Sequence, residues 1–320
     1  MSEIRLVNSE RIKPKLTAAQ ERAIKKLYKD SLKNVREWSK FLEGKSNVSS
    51  ILRTQYLNNM EREIQQELHN IGSQVEDIIE ANMTMVSQAV VEDINSVLNG
   101  LGLHIKGAYS FVPASVVQAI TTGQVYDGNW SLSKAIWQHT RKSQQDIQDI
   151  IAKGVLENKS SYDIAKELEK YVDPRARKPW DWGKIYPGTN KVIDYNAQRL
   201  ARTLVSHAYQ QSFVRTTREN PFFEGYRWLT ANNHRVCEVC RGYAENQHAE
   251  GLPEGIFPKS ELPLDHPNGQ CTMTIYTTQT TDDIVDSLVN WVHGESNPQL
   301  DRFARDLGYP IGVVKSFVKP

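Results

Sequence analysis

All three cysteines of this 320-residue chain lie in one short stretch that begins at Cys237 and ends at Cys271. Cys237 and Cys240 form a Cys-x-x-Cys pair, which puts two sulfur atoms on one tight turn. Downstream, His266 and Cys271 form a second pair separated by four residues. The four side chains together make a Cys3His set, which is a common tetrahedral shell for Zn²⁺. The loop 241–264 is poor in apolar residues, so we expect a metal to hold this region together.

The same residues are also compatible with roles that need no metal. Three cysteines can be small buried hydrophobic residues, and a Cys-x-x-Cys pair can be redox-active or form a disulfide. His234 and His248 compete with His266, although neither has the matching spacing to the last cysteine, and Glu238 and Asp265 are weaker alternatives. The clustering of every cysteine beside a suitably spaced histidine favours a metal. Four protein ligands would make the site structural, because no coordination position stays open for water.

A run of apolar residues at intervals of three and four indicates one long helix in the first third of the chain. Its members are Leu57, Met60, Ile64, Leu68, Ile71, Val75 and Ile78, followed after a polar break at Asn82 by Val86, Val90, Ile94 and Val97. The spacing is close to that of a coiled coil, and Gly100 and Gly102 mark its end. At about 1.5 Å per residue, a helix of about 45 residues is roughly 65 Å long. We expect it to pack on another helix or another subunit.

Weaker signals predict further helices and two strands. The helices cover residues 17–43, 133–155, 160–171, 195–218, 282–293 and 298–307, and the strands cover residues 225–230 and 272–277. The prolines and glycines of residues 173–193 indicate a loop that links two regions. We therefore predict a mainly α fold with a small α+β C-terminal domain, in which a long helical N-terminal region is followed by a Cys/His-stapled domain.

The predicted domain organisation has five parts. They are a basic N-terminal arm (1–16), a helical region with the long helix (17–172), a linker loop (173–193), a domain that carries the Cys/His set (194–280) and a C-terminal helical tail (281–320). Hydrophobic residues make up 39% of the chain and charged residues 24%, so a buried core is expected and wholesale disorder is not. No run of about 18 apolar residues and no signal-peptide core is present, which predicts no membrane insertion and synthesis in a cytoplasm.

Basic residues at two places are candidates for binding nucleic acid or an acidic partner, although the formal net charge of the whole chain is only +1. These candidates are Lys13, Lys15, Arg22, Lys25, Lys26, Lys29, Arg175, Arg177 and Lys178. In the linker they are followed by Trp180 and Trp182, and this mixture of cations and aromatic rings can stack on bases or bind phosphates. A solvated helix face and tryptophans that anchor a loop to its own domain account for the same residues without a ligand.

The usual motifs of catalysis are missing from the sequence, so we predict no catalytic residues and no enzymatic activity. The Asp265-His266 pair is also found at the start of zinc-dependent nuclease sites of the ββα-metal type. Such a site needs a further histidine or asparagine on the following helix, and the next histidine is His293. A zinc-dependent nuclease or toxin-like effector is the alternative function. A nucleic-acid-binding module is a third, and it predicts an affinity that falls steeply with salt.

Residues 194–276 resemble the C-terminal domain of the phage Mu F-like minor head proteins, a head-morphogenesis family that includes the minor head protein of SPP1-type phages. Three pieces carry the resemblance: an Arg-x-x-Arg-Thr helix (199–203), a tryptophan followed by Arg-Val-Cys-x-x-Cys (228–240), and a Pro-x-x-His-Pro-Asn-x-x-Cys stretch (263–271). The chain departs from the family pattern at Leu204, Asn233, Gly269 and Gln270, where an acidic residue, aspartate, cysteine and arginine are common. The missing cysteine favours His266 and Cys271 as the second ligand pair.

The resemblance implies a role in the virion. Proteins of this family bind the portal protein, are packaged in few copies and assist head assembly, and some are thought to enter the host with the DNA. By this resemblance the chain is expected in the capsid interior or near the portal, with the portal protein, packaged double-stranded DNA and scaffold or capsid proteins as partners. A long helical rod and a basic N-terminal region are compatible with these contacts.

Overall fold

The computed structural model of the chain is mainly helical, with a small antiparallel sheet formed largely by its C-terminal part. Apart from single positions between them, the residues that the structure describes are 2–31, 50–101, 107–126, 131–157, 195–231 and 236–307. The Cys/His cluster lies in the sheet-containing part. The predicted fold class is therefore confirmed.

Most element bounds follow the local sequence signals. The helices are α1 (Val7–Ser31), α2 (Ser50–Gly100), α3 (Val112–Thr121), α4 (Leu132–Leu156), α5 (Tyr195–Thr217), α6 (Glu238–Glu245), α7 (Thr281–Val292) and α8 (Pro298–Asp306). The strands are β1 (Ser2–Ile4), β2 (Gly225–Leu229), β3 (Ile256–Pro258) and β4 (Thr272–Thr277). Helices α4, α5, α7 and α8 and strands β2 and β4 begin and end within one residue of the predicted bounds.

Helix α2 is the long helix that the apolar spacing predicts, and its 51 residues make it about 75 Å long. Its buried apolar positions run from Leu57 to Leu98 in steps of three and four, and the average step is about 3.7 residues. This average exceeds the coiled-coil value of about 3.5, so Ile79 and Leu98 are buried in place of the predicted Ile78 and Val97. Asn82 does not break the helix, because its side-chain amide donates to the carbonyl of Ile78.

The N-terminus differs from the prediction. The expected arm over residues 1–16 is wrong, since β1 pairs with β4 and α1 begins at Val7, ten residues before the predicted start at Thr17. Asp93 of α2 supplies the cap: its carboxylate accepts from the backbone N–H of Asn8 at 3.2 Å and of Ser9 at 2.6 Å. The cap comes from a residue about 85 positions away, so the local sequence cannot reveal the helix start.

In the described part of the chain, four strands form one antiparallel sheet with the order β1-β4-β2-β3. Strand β4 lies between β1 and β2, and its register places Ile275 opposite both Ile4 and Tyr226. All its residues after the first are buried. Strand β3 and helix α6 occupy parts of the predicted loop 241–264, where the sequence pattern predicts no regular secondary structure.

The chain divides into two compact units. The first unit comprises Met1–Leu16, Met83–Ala119 and Thr203–Pro320, and it contains the sheet. Helix α5 packs on that sheet through the Phe213 ring, which meets Tyr226 edge-on at 5.2 Å. The hydroxyl of Thr217 donates to the Tyr226 hydroxyl at 3.0 Å, so the end of α5 is held to β2 by both apolar and polar contacts.

The second unit comprises Thr17–Asn82 and Ile120–Arg202 and is helical in its described residues. Within it α2 packs on α4: a Cβ added at Gly72 would lie 3.4 Å from Ile136, and the Gln148 amide donates to Glu61 at 3.0 Å. Part of the long helix therefore finds its expected partner helix within the same chain. Most of the predicted helix 160–171 and the whole linker 173–193 lie outside the described residues.

A substitution of Asp93 tests the long-range cap of α1. Asp93→Ala should lower the free energy of unfolding by about 1 to 2 kcal/mol, because two backbone N–H groups at the start of α1 lose their acceptor. The measurement is urea denaturation followed by circular dichroism. Glu92→Ala, at the exposed neighbouring position, is the control and should change stability by less than about 0.5 kcal/mol. Equal effects of the two substitutions would contradict the cap.

Candidate metal centre

The first two cysteines lie on the first turn of α6 rather than on an isolated tight turn. Cys237 is the N-cap residue of this helix, and its sulfur accepts from the backbone N–H of Cys240 at 3.4 Å. The helix is anchored to the sheet by Tyr243, whose ring meets that of Trp228 on β2 edge-on at 4.9 Å.

His266 presents the nitrogen that a metal would use toward the cysteines. Its Nε2 lies 3.1 Å from the sulfur of Cys237. Its Nδ1 is 3.0 Å from the carbonyl oxygen of Pro267, an arrangement in which Nδ1 carries the proton and donates it. The lone pair then belongs to Nε2, which is the tautomer that a metal-ligating histidine needs.

The donor atoms form two overlapping sets. Those of Cys237, Cys240 and His266 all lie within 4.8 Å of one another, and so do those of Cys240, Asp265 and Cys271. Cys240 belongs to both sets. All three cysteines are free thiols, so a disulfide does not explain the cluster. The four predicted ligands therefore lie together in a cluster that could bind a metal ion, and Asp265 joins them as a fifth donor.

Asp265 is a buried carboxyl group held by helix α5. Ser206 donates to its Oδ2 at 3.1 Å, and the imidazole Nε2 of His207 lies 2.8 Å from its carbonyl oxygen. The backbone N–H of Asp265 donates to the Gln210 side chain at 2.7 Å, and its Oδ1 accepts from the backbone N–H of His266 at 2.9 Å. Both carboxylate oxygens are thus engaged, and the contacts fix the start of the loop that carries His266.

Position 269 has a steric reason to be glycine. A Cβ added at Gly269 would lie 2.0 Å from the carboxyl group of Asp265, which is far inside van der Waals contact. Asn268 precedes it with a φ of +67°, a left-handed conformation that asparagine tolerates better than most residues. Its backbone N–H donates to Thr203 of α5 at 3.1 Å. The loop therefore turns tightly around the Asp265 side chain.

The thiols of Cys240 and Cys271 lie close together at the centre of the cluster. Cys240 is hydrogen-bonded to Cys271, and this bond together with burial raises the pKa of Cys240 far above its ordinary value. The same bond lowers the pKa of Cys271, and the indole N–H of Trp228 acts in the same direction. A divalent cation at this point would displace thiol protons, since thiolates rather than thiols bind metals.

Lys13 and His207 are buried beside the cluster. Lys13 is 4% exposed, and its Nζ donates to the carbonyl oxygen of Cys271 at 2.6 Å. Burial lowers the pKa of Lys13 and also that of His207, because both would be charged in an environment poor in water. The prediction that Lys13 belongs to a nucleic-acid surface is wrong, since its amine is buried against Cys271.

The other basic candidates that the structure describes lie along α1. Lys15, Arg22, Lys26 and Lys29 are exposed on α1 and Lys25 is half-exposed, while Lys26 pairs with Asp30 at 2.7 Å. The linker candidates Arg175, Arg177 and Lys178 lie outside the described residues. A nucleic-acid or partner role for these residues stays a prediction.

Sequence reasoning missed the supporting residues of the cluster. Ser206, His207 and Gln210 follow the helical spacing of α5 and face the loop at Asp265, but nothing in their spacing relates them to the cysteines. Asp265 itself was a weak ligand candidate. The alternative ligands His248 and Glu238 belong to neither donor set, and His234 lies outside the described residues. Among the described residues, His293 also joins no such set.

Comparisons with family models, curated proteins and solved structures found no match to this chain. Across the described ranges, no helix combines the length and the apolar character that a bilayer crossing requires. The cluster must therefore be interpreted from its own geometry and from the motifs that carry it.

Gly269→Ala tests the packing of the loop around Asp265. The new methyl group would displace the Asp265 carboxyl group and break its bonds to Ser206 and to the His266 backbone, so we expect a loss of about 2 kcal/mol or more in unfolding free energy. The matched control is Gly100→Ala, where an added Cβ meets no atom within 4 Å. Both variants are compared by thermal and urea denaturation. A neutral Gly269→Ala would show that Asp265 is not fixed as described.

Proposed function

We propose that the cluster is a structural Zn²⁺ site with Cys237, Cys240, His266 and Cys271 as ligands. Three sulfurs and one imidazole nitrogen are a typical donor set for this ion, with Zn–S distances of about 2.3 Å and Zn–N distances of about 2.0 Å. The arrangement of the donors supports the proposal, because Cys240 belongs to both donor sets and can join them around one ion. The four ligands would fill a tetrahedron and leave no position for a reacting water molecule.

Asp265 is better suited to support the ligands than to bind the ion. Both of its carboxylate oxygens already accept hydrogen bonds, and leaving them would strip Ser206 and the His266 backbone of a buried partner. Its contacts with α5 instead hold the loop so that His266 meets Cys237. Carboxylates near ligating histidines commonly play this supporting role.

Metal analysis tests the zinc site. Purified protein should contain about one zinc per chain, and Cys240→Ser should lose it, because this thiol belongs to both donor sets. The sheet around β4 should then lose its fixed structure, while the helical circular dichroism of the second unit should largely remain. Elemental analysis and near-ultraviolet circular dichroism are the measurements.

Three further variants define the ligand set. Glu238→Gln changes an exposed residue between the two cysteines and should keep the zinc. Asp265→Asn should also keep it, with lower stability, whereas His266→Ala should bind it more weakly. If Asp265→Asn loses the zinc and His266→Ala retains it, the fourth ligand is Asp265 and not His266. Absence of zinc from the wild-type protein would reject the site.

We further propose that the protein is a phage minor head protein that associates with the portal, acts in head morphogenesis without enzymatic activity, and resides in the capsid interior or near the portal. The single observation that supports this proposal most is the convergence of the motif pieces that resemble the Mu F-like family. Thr203 of the Arg-x-x-Arg-Thr helix accepts from Asn268 of the His-Pro-Asn stretch. His266 of that stretch meets Cys237 of the Cys-x-x-Cys pair. Pieces separated by tens of residues thus build one site.

The helical part of the chain is compatible with this role. Helix α2 is about 75 Å long, and an element of this length can link surfaces that a compact domain cannot reach. Exposed cations on α1 can lie against packaged double-stranded DNA, and scaffold or capsid proteins are further candidate partners. Delivery with the DNA at ejection belongs to the same proposal.

Co-purification tests the virion role against the nuclease alternative. The tagged chain, expressed together with the portal protein encoded beside its gene, should elute with it as one complex in size-exclusion chromatography. Plasmid DNA incubated with the purified chain and Mg²⁺, Mn²⁺ or Zn²⁺ should stay intact. No complex with the portal protein, combined with cleavage that His266→Ala abolishes, would favour a nuclease instead.

A further inference from the structure

Lys13 reaches the metal centre from the opposite end of the chain. It lies on α1, 258 residues before Cys271, yet its Nζ donates to the carbonyl oxygen of this cysteine at 2.6 Å. The ammonium group also lies over the ring of the fully buried Tyr209, 4.9 Å from its centroid. A lysine amine in such a buried place requires compensating interactions, because removing an ammonium group from water is costly.

Acidic groups around Lys13 provide this compensation. Its ammonium group interacts electrostatically with Asp265, Cys271 and Cys240. A Zn²⁺ ion bound to three thiolates and a neutral imidazole has a net charge of −1, whereas three protonated thiols with the same imidazole have none. Binding of the ion therefore leaves one additional negative charge in a buried region, next to the carboxylate of Asp265. A fixed cation beside this region favours the metal-bound form.

We propose that Lys13 is a positioning residue of the metal centre, which balances the charge of the zinc–thiolate group and ties the N-terminal segment to it. This inference rests on the zinc site proposed above. The tie has two parts: Lys13 holds the backbone of Cys271, and β1 pairs with β4, which begins at the residue after Cys271. Zinc binding is therefore coupled to how firmly residues 2–13 are held in the folded structure.

The affinity for zinc tests the charge balance. Lys13→Met keeps the apolar stem of the side chain but removes the ammonium group, with its charge and its hydrogen bond to Cys271. It should weaken zinc binding about tenfold to a hundredfold, as measured by competition with a chelator. Lys13→Arg keeps the charge and should recover part of the affinity. Lys15→Met removes an exposed charge two residues further along the same helix and should bind zinc like the wild type.

A purely structural role for Lys13 predicts a different result. Lys13→Met would then lower the melting temperature equally with and without zinc and leave the affinity unchanged, and this outcome would overturn the proposal. The Co²⁺-loaded protein gives a second readout, because the sulfur-to-cobalt bands of Lys13→Met should shift or weaken if Cys271 is displaced. A wild-type protein that binds no zinc would reject the site itself, which is distinguishable from normal zinc affinity in Lys13→Met.

Hydrogen exchange on the wild-type protein tests the coupling without any variant, and it decides the question if Lys13→Met fails to fold. Removal of zinc by a chelator should increase exchange at the amides of residues 2–13 more than at those of α7, which lies in the same unit. Equal changes at both places, or none at residues 2–13, would overturn the coupling.

Discussion

The buried carboxyl group of Asp265 joins helix α5 to the loop that carries the last two metal-ligand candidates, and the geometry of the centre follows from this attachment. Ser206, His207 and Gln210 hold the residue from one side, and the loop closes around it on the other. Only glycine fits at position 269, because the carboxyl group occupies the space of its side chain. His266, the next residue, is thereby directed toward Cys237. Both carboxylate oxygens of Asp265 need hydrogen-bond donors, since an unpaired carboxylate in a buried position would destabilise the fold.

Elements with local signals could be predicted from the sequence. Helix α4 begins after Ser131, which caps it, and helix α7 begins with a capping box formed by Thr280 and Asp283. Strand β4 is rich in β-branched residues and was predicted with its observed bounds. The clustered donor residues could also be predicted, because the cysteines and a suitably spaced histidine lie close together in the sequence. Local chemistry specifies these features, so no knowledge of distant residues was needed.

The features that sequence reasoning missed depend on distant partners. Helix α1 begins at Val7 because Asp93 caps it, and β1 is too short to be recognised without β4 beside it. Lys13 resembles its exposed neighbours in sequence, but only the fold shows that it faces Cys271. The predicted apolar positions of α2 are buried except Ile78 and Val97, where Ile79 and Leu98 are buried instead, since a spacing of about 3.7 residues moves away from a heptad over several turns. Each miss thus has a tertiary cause.

The pairing of β1 with β4 has a consequence for the time course of biosynthesis. Ser2 lies opposite Thr277, so β1 has no partner until the 275 residues that follow Ser2, up to Thr277, have been translated. At about 5 to 20 residues per second, this delay amounts to roughly 14 to 55 seconds. An unpaired β1 exposed for so long is open to chaperones and to neighbouring chains on the same messenger. The sheet can therefore close only after β4 has been synthesised.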